Sequence, residues 1–149
     1  MPAKSAPEER SAWIMLALAV IGYPAYLILL FNGAGAAGRP LAELPFAWPM
    51  IWTVLGSIGA SIVLHAVFRV YTDLESNKRD ERDRLIGRFA DRTGQAFVIA
   101  GALGGLALAM LAAAPFWIAN AIFLGFFCSA ILGSIAKIAA YRGAFSRAW

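Results

Sequence analysis

Ala96–Ala136 reads AFVIAGALGGLALAMLAAAPFWIANAIFLGFFCSAILGSIA. Two apolar runs, Ala96–Ala114 and Phe116–Ala136, are parted only by Pro115. A helix of about 20 residues crosses the roughly 30 Å hydrocarbon core of a bilayer. Each run is long enough, and proline disfavours one continuous helix through the junction. The stretch therefore predicts a tight hairpin of two membrane helices. The same criterion selects two runs upstream, Ala12–Phe31 and Phe46–Val70. The expected fold is all-α: a compact four-transmembrane-helix bundle, one domain over residues 1–149.

Composition agrees. Of 149 residues, 60% are hydrophobic and 15% charged, and mean hydropathy is +0.67. A soluble chain this short needs a charged surface over its core. Here twelve of the 22 charged residues crowd into Tyr71–Gly94. These figures exclude an ordinary soluble enzyme, a disordered tail and a secreted disulfide scaffold. The single cysteine, Cys128, excludes an intrachain disulfide and a thiol oxidoreductase that needs paired cysteines. The single histidine, His65, excludes bis-histidine haem ligation within one chain.

The net charge of +4 and pI near 9.6 read as topology, not as direct nucleic-acid binding. With the N-terminus inside, twelve of the thirteen Lys/Arg lie on the inner side, leaving only Arg39 outside. The positive-inside rule thus predicts cytoplasmic N- and C-termini and a cytoplasmic Tyr71–Gln95 loop. Phe46, Trp48, Trp52, Phe116 and Trp117 would mark the outer ends, and Trp13, Tyr71, Tyr141 and Trp149 the inner ones. Ala34-Gly35-Ala36 resembles a signal-peptide cleavage site, but the preceding run exceeds the usual 7–15 apolar residues. An uncleaved first helix is expected, kinked at Pro24.

The second run carries a polar residue every fourth position: Thr53, Ser57, Ser61, His65 and Arg69. Residues four apart share a helical face. The stripe reads either as a helix contact, with small hydroxyl residues allowing close approach, or as a polar permeation or ligand face. His65, one turn from the inner end, reads as an interfacial hydrogen-bonder, and Arg69 as snorkelling to the headgroups. No run contains Asp or Glu, which argues against a small proton-coupled drug exporter.

The third run spaces Gly101, Gly105, Ala109 and Ala113 by four; the fourth does the same with Ala121, Gly125, Ser129, Gly133 and Lys137. Lipid offers little hydrophobic drive between helices, so small residues permit the close packing that holds them. These faces would meet each other, the second helix or a second copy of the chain. Asn120 could cap its helix or bond a neighbour.

Asp80–Arg92 reads DERDRLIGRFADR. An amphipathic cytoplasmic helix is expected here, leading into the third span. Asn77 would cap it, Asp80 and Arg84 would form an acid-before-base pair four apart, and Gly87 would weaken it by roughly 1 kcal/mol. Three roles compete: an elbow whose arginines meet anionic headgroups; a docking surface for a cytoplasmic protein formed by Asp80, Glu81, Arg82, Asp83, Arg84, Leu85 and Phe89; or a cation site at Asp80, Glu81 and Asp83. The adjacent arginines count against the last. No phosphate loop and no nucleophile–base pair is present, so no catalytic residue, cofactor site or metal site is assigned.

Asp80-Glu81-Arg82-Asp83 followed by Ile86, then Phe116-Trp117-Ile118-Ala119-Asn120, then Lys137-x3-Tyr141-Arg142-Gly143, resembles a widespread group of small four-span bacterial inner-membrane proteins. The likeness covers the second half of the chain. Members often carry a second arginine where this chain has Gly143. They look like proteins encoded beside a helix-turn-helix regulator. The resemblance implies the membrane half of a sensing pair, restraining that regulator through the charged loop. A non-enzymatic sensor or regulatory partner is therefore the first expectation, and a homodimer is compatible with the small-residue faces. The alternatives are a small transporter or channel subunit acting as an oligomer, and a helper subunit of a larger membrane complex. Membrane lipid is a partner in each case.

Overall fold

The computed structural model describes residues 7–33, 37–72 and 81–143. They form four long helices: α1 (Pro7–Asn32), α2 (Ala47–Thr72), α3 (Glu81–Met110) and α4 (Pro115–Tyr141). A single 3-10 turn, Leu41–Glu43, lies between α1 and α2. All four helices are long and apolar enough to cross a membrane. The chain has the architecture of a polytopic membrane protein.

The helices stand in the order α2, α1, α4, α3. The α3 helix packs most extensively on α4; α1 packs on both α4 and α2. Among the described residues, α2 makes its substantial contacts with α1 alone. The bundle is therefore an open row, less compact than the sequence implies. Lipid supplies the reason: apolar faces of α2 such as Leu55, Ile62 and Val63 stay 57–64% exposed, and hydrocarbon satisfies them as well as another helix would.

A second difference concerns α3. The amphipathic helix expected over Asp80–Arg92 is present from Glu81 on, but it runs unbroken into the span as the first turns of one 30-residue helix. Glu81 and Asp83 sit in its first turn, where acidic groups favour the helix dipole. Nothing lies within 4 Å of a Cβ built on Gly87, so that glycine marks no bend against a neighbour. At about 1.5 Å per residue α3 is about 45 Å long, well beyond a 30 Å hydrocarbon core. Its charged turns thus extend past the apolar layer.

The α3–α4 hairpin closes in four residues. Ala113 N–H donates to the Leu108 carbonyl (3.0 Å), and Ala112 N–H to that of Ala109 (3.0 Å). This is a Schellman C-cap, with Ala112 in the left-handed region at φ 52°. Pro115 then opens α4 at its first turn, where a missing N–H costs nothing.

The seam between α3 and α4 is made of glycines. A Cβ on Gly101 would lie 2.7 Å from the Cα of Gly125, and one on Gly125 2.8 Å from the Cα of Gly101. The backbones are too close for any larger residue on either side. On one flank Gly105 receives the side chain of Ile122; on the other, Gly94 lies against Ser129 and Gly133 against the Ala90 carbonyl.

The α1–α4 contact is aromatic. Tyr26, Leu30, Leu44, Phe116 and Phe123 form a buried cluster, with Tyr23, Phe46 and Phe127 packed around it. Tyr26 and Phe123 meet edge-on at 4.8 Å, as do Phe123 and Phe127 at 4.9 Å. Phe116 and Phe46, read as interfacial aromatics, pack on each other at 5.8 Å, and Phe116 belongs to the core. Trp48 and Trp52 remain largely exposed, as a membrane-interface belt requires.

Candidate functional site

The N-terminal turns of α3 bring most of the charged motif to one end of the molecule. Ile86 and Ala90 are buried, on the side of α3 that faces α4. Asp83, three residues before Ile86, shares that side. Its carboxylate accepts a hydrogen bond from the Tyr141 hydroxyl at 2.8 Å. Arg84, Arg88 and Arg92 are exposed at intervals of four. Between their row and the buried side lie Leu85 and Phe89, 49% and 48% exposed. Glu81 is exposed in the first turn. Asp80 and the side chain of Arg82 lie outside the described residues.

Two further contacts join α1 to this end. Arg142 Nε lies 3.4 Å from Glu9 Oε1, and its guanidinium carbon 5.4 Å from the centre of the Trp13 ring. Arg142 is well exposed, so the ion pair itself adds little stability. Its effect is positional: α1, α3 and α4 are tied together where the charges gather. Gly143 ends α4 at φ 108°, a conformation open to glycine and strained for arginine.

The α2 stripe faces α1 and leads to a groove. Thr53 is buried, and its hydroxyl donates to the Pro49 carbonyl of its own helix at 2.7 Å. Ser57 lies opposite Gly22, where a Cβ would sit 3.4 Å from its hydroxyl and 3.0 Å from the Phe127 ring. His65 Nδ1 is 2.7 Å from the Ser61 carbonyl, which can only accept. Nδ1 therefore donates to that carbonyl, and Nε2 lies 2.9 Å from the Ser11 hydroxyl, within hydrogen-bond distance. His65 is a hydrogen-bonded link between α2 and α1. Ser61 sits a turn deeper, its hydroxyl 3.4 Å from Nδ1 and 3.9 Å from Met15 Sδ.

Above that link, α2 and α4 stand apart over α1. The groove between them has a volume of about 550 Å³. Met15 and Leu18 lie on its α1 side, Ser57 and Ile62 on α2, and Phe126 and Ala130 on α4. Its two hydroxyl groups, Ser57 and Ser61, both come from the stripe.

Asn120, expected to cap its helix or bond a neighbour, has a partner that the sequence reading did not name. The Tyr26 hydroxyl, on a fully buried side chain, donates to Asn120 Oδ1 at 2.7 Å, while Asn120 Nδ2 donates to the Phe116 carbonyl at 2.8 Å. A signal for it exists. Tyr26 lies six residues before the end of α1 and Asn120 five after the start of α4, so antiparallel helices carry them at one depth.

Among the described residues, no group of three His, Cys, Asp or Glu side chains could hold a metal ion. Comparison with family models, with curated proteins and with solved structures finds no match.

Proposed function

We propose that this chain is a non-enzymatic membrane protein that docks a soluble cytoplasmic regulator on the charged end of α3. The observation that carries the reading is the exposure of Leu85 and Phe89 beside Arg84, Arg88 and Arg92, on a helix held from behind by Ile86, Ala90 and the Asp83–Tyr141 hydrogen bond. Apolar anchors supply affinity, and the surrounding charges supply orientation and choice of partner. The positive-inside rule puts this end in the cytoplasm, and a bacterial inner membrane follows from the resemblance described above. That resemblance also supports a helix-turn-helix protein as the partner. A solute path along the α2 stripe has weaker support, because Thr53 and His65 already bond Pro49, Ser61 and Ser11.

The test is purification in mild detergent from the native host, comparing wild type with Arg84→Glu/Arg88→Glu. Mass spectrometry should find a soluble DNA-binding regulator with the wild type and lose it with the variant, at equal membrane levels. The same proteins retained by both, or no soluble protein with either, would overturn the docking reading.

A further inference from the structure

We propose that Tyr141 and Arg142 form a latch through which α1 governs the order of the first turns of α3. Those turns carry the docking face described above, and the regulatory half of the inference rests on that reading.

The two residues are neighbours in the chain and reach in opposite directions. The Tyr141 hydroxyl donates to Asp83 on α3 at 2.8 Å. Arg142 reaches α1, its Nε 3.4 Å from Glu9 Oε1 and its guanidinium carbon 5.4 Å from the centre of the Trp13 ring. The Arg142 N–H still donates to the Ile138 carbonyl at 3.0 Å, so both residues move with the last turn of α4. Among the described residues, α1 and α3 make no substantial contact with each other. At this end the latch joins them.

On the α3 side the latch holds the weakest part of the helix. The first turns stand beyond the apolar layer, with Ile86 and Ala90 as their buried side chains. Asp83 lies almost a turn before Ile86, nearer the start of the helix. Gly87 follows and lowers helix propensity. A short helical segment in water is marginal by itself and owes its order to tertiary contacts. Release of Asp83 therefore lets residues 81–85 fray, and Leu85 loses its fixed place beside Phe89.

On the α1 side the latch meets a helix that can bend. Pro24 returns no N–H to the Val20 carbonyl, so the inner half of α1 can swing about that point. The contact it pulls on is easily opened. Arg142 is well exposed, and an exposed ion pair lies close to break-even. A small displacement of α1 is enough to change it, and Arg142 passes the change to the adjacent Tyr141.

The test is hydrogen exchange of the full chain in mild detergent, read by mass spectrometry over residues 81–89. Tyr141→Phe removes one hydroxyl and should speed exchange there about tenfold. Arg142→Ala and Glu9→Gln touch no residue of α3, yet each should speed it about threefold. The double variant Tyr141→Phe/Arg142→Ala should exchange no faster than Tyr141→Phe alone, because Arg142 acts through Tyr141. Gly104→Ala, at an open site on α3, should change nothing. Unchanged exchange in Tyr141→Phe or in Arg142→Ala would overturn the latch, as would effects that multiply to about thirtyfold in the double variant. The second readout is the regulator co-purified from the native host, which both single variants should lose at equal membrane levels. Equal retention by wild type and both variants would overturn the regulatory half. Faster exchange with no regulator on the wild type would sink the docking reading and leave the latch standing.

Discussion

The α4 helix meets its two partners in opposite ways. Against α3 it offers Gly125, Ser129 and Gly133, and the two backbones come together until the Cα atoms of Gly101 and Gly125 nearly touch. Against α1 it offers Phe116, Phe123 and Phe127, and the backbones are held apart by interlocking rings around one tyrosine–asparagine hydrogen bond. Neither contact draws on the hydrophobic effect as a soluble core would, since lipid is equally apolar. The first gains from close backbone packing along the whole seam. The second gains from ring geometry and from satisfying two polar groups that hydrocarbon cannot. The lesson is that one membrane helix can carry both solutions, provided they occupy different faces.

The difference can be broken most severely at the seam. Gly101→Leu or Gly125→Leu puts bulk where 2.8 Å or less is available to a Cβ. Each should destabilise the chain by about 3 kcal/mol, at the upper end for overpacking, seen as a large fall in the midpoint of an SDS unfolding titration. An unchanged midpoint would show that the two helices do not meet there.

A smaller effect is expected on the aromatic side. Tyr26→Phe keeps the ring and leaves Asn120 Oδ1 without its donor. The expected cost is about 1–2 kcal/mol. A double-mutant cycle with Asn120→Leu should give a coupling of about 0.6–1.7 kcal/mol. Zero coupling would mean that ring packing alone holds α1 to α4.

The smallest change has the opposite sign. Ala112 occupies the left-handed C-cap position that glycine fills without strain. Ala112→Gly relieves about 1–2 kcal/mol of strain, offset in part by the greater freedom of glycine in the unfolded chain. A net gain of about 0.5–1 kcal/mol in the same titration is expected. A loss would show that the hairpin turn is not strained.

Legibility in the sequence followed the same division. The small residues of α3 and α4 repeat every four positions, and that period is visible because little else explains glycine in a membrane helix. The aromatic contact has no such period. Phe116 and Phe46 sit near helix ends, where aromatics usually face the interface, and only the fold turns them inward. Helical turns through the charged segment were legible from its apolar side, but their continuity with the span was not, since a membrane run is recognised by the absence of charge. Once past the hydrocarbon, a helix needs only its own hydrogen bonds and a buried side, here Ile86 and Ala90. Leu85 and Phe89 were legible as apolar positions on that helix, whereas the engagement of Asp83 by Tyr141 depends on where α4 ends. The groove was illegible for a further reason: it arises from the order of the helices, which no single segment encodes.

The bond between Tyr26 and Asn120 spans 94 positions of the chain. At a synthesis rate of about 5–20 residues per second, the tyrosine leaves the ribosome roughly 5–20 s before its acceptor. Through that interval α1 is in the bilayer with a hydroxyl that no lipid tail can satisfy. The last helix made is also the one that touches α1, α3 and the 3-10 turn. Assembly of this protein is thus a vigil kept by its first helix for its last, and a chain truncated before α4 would leave three spans with no common partner.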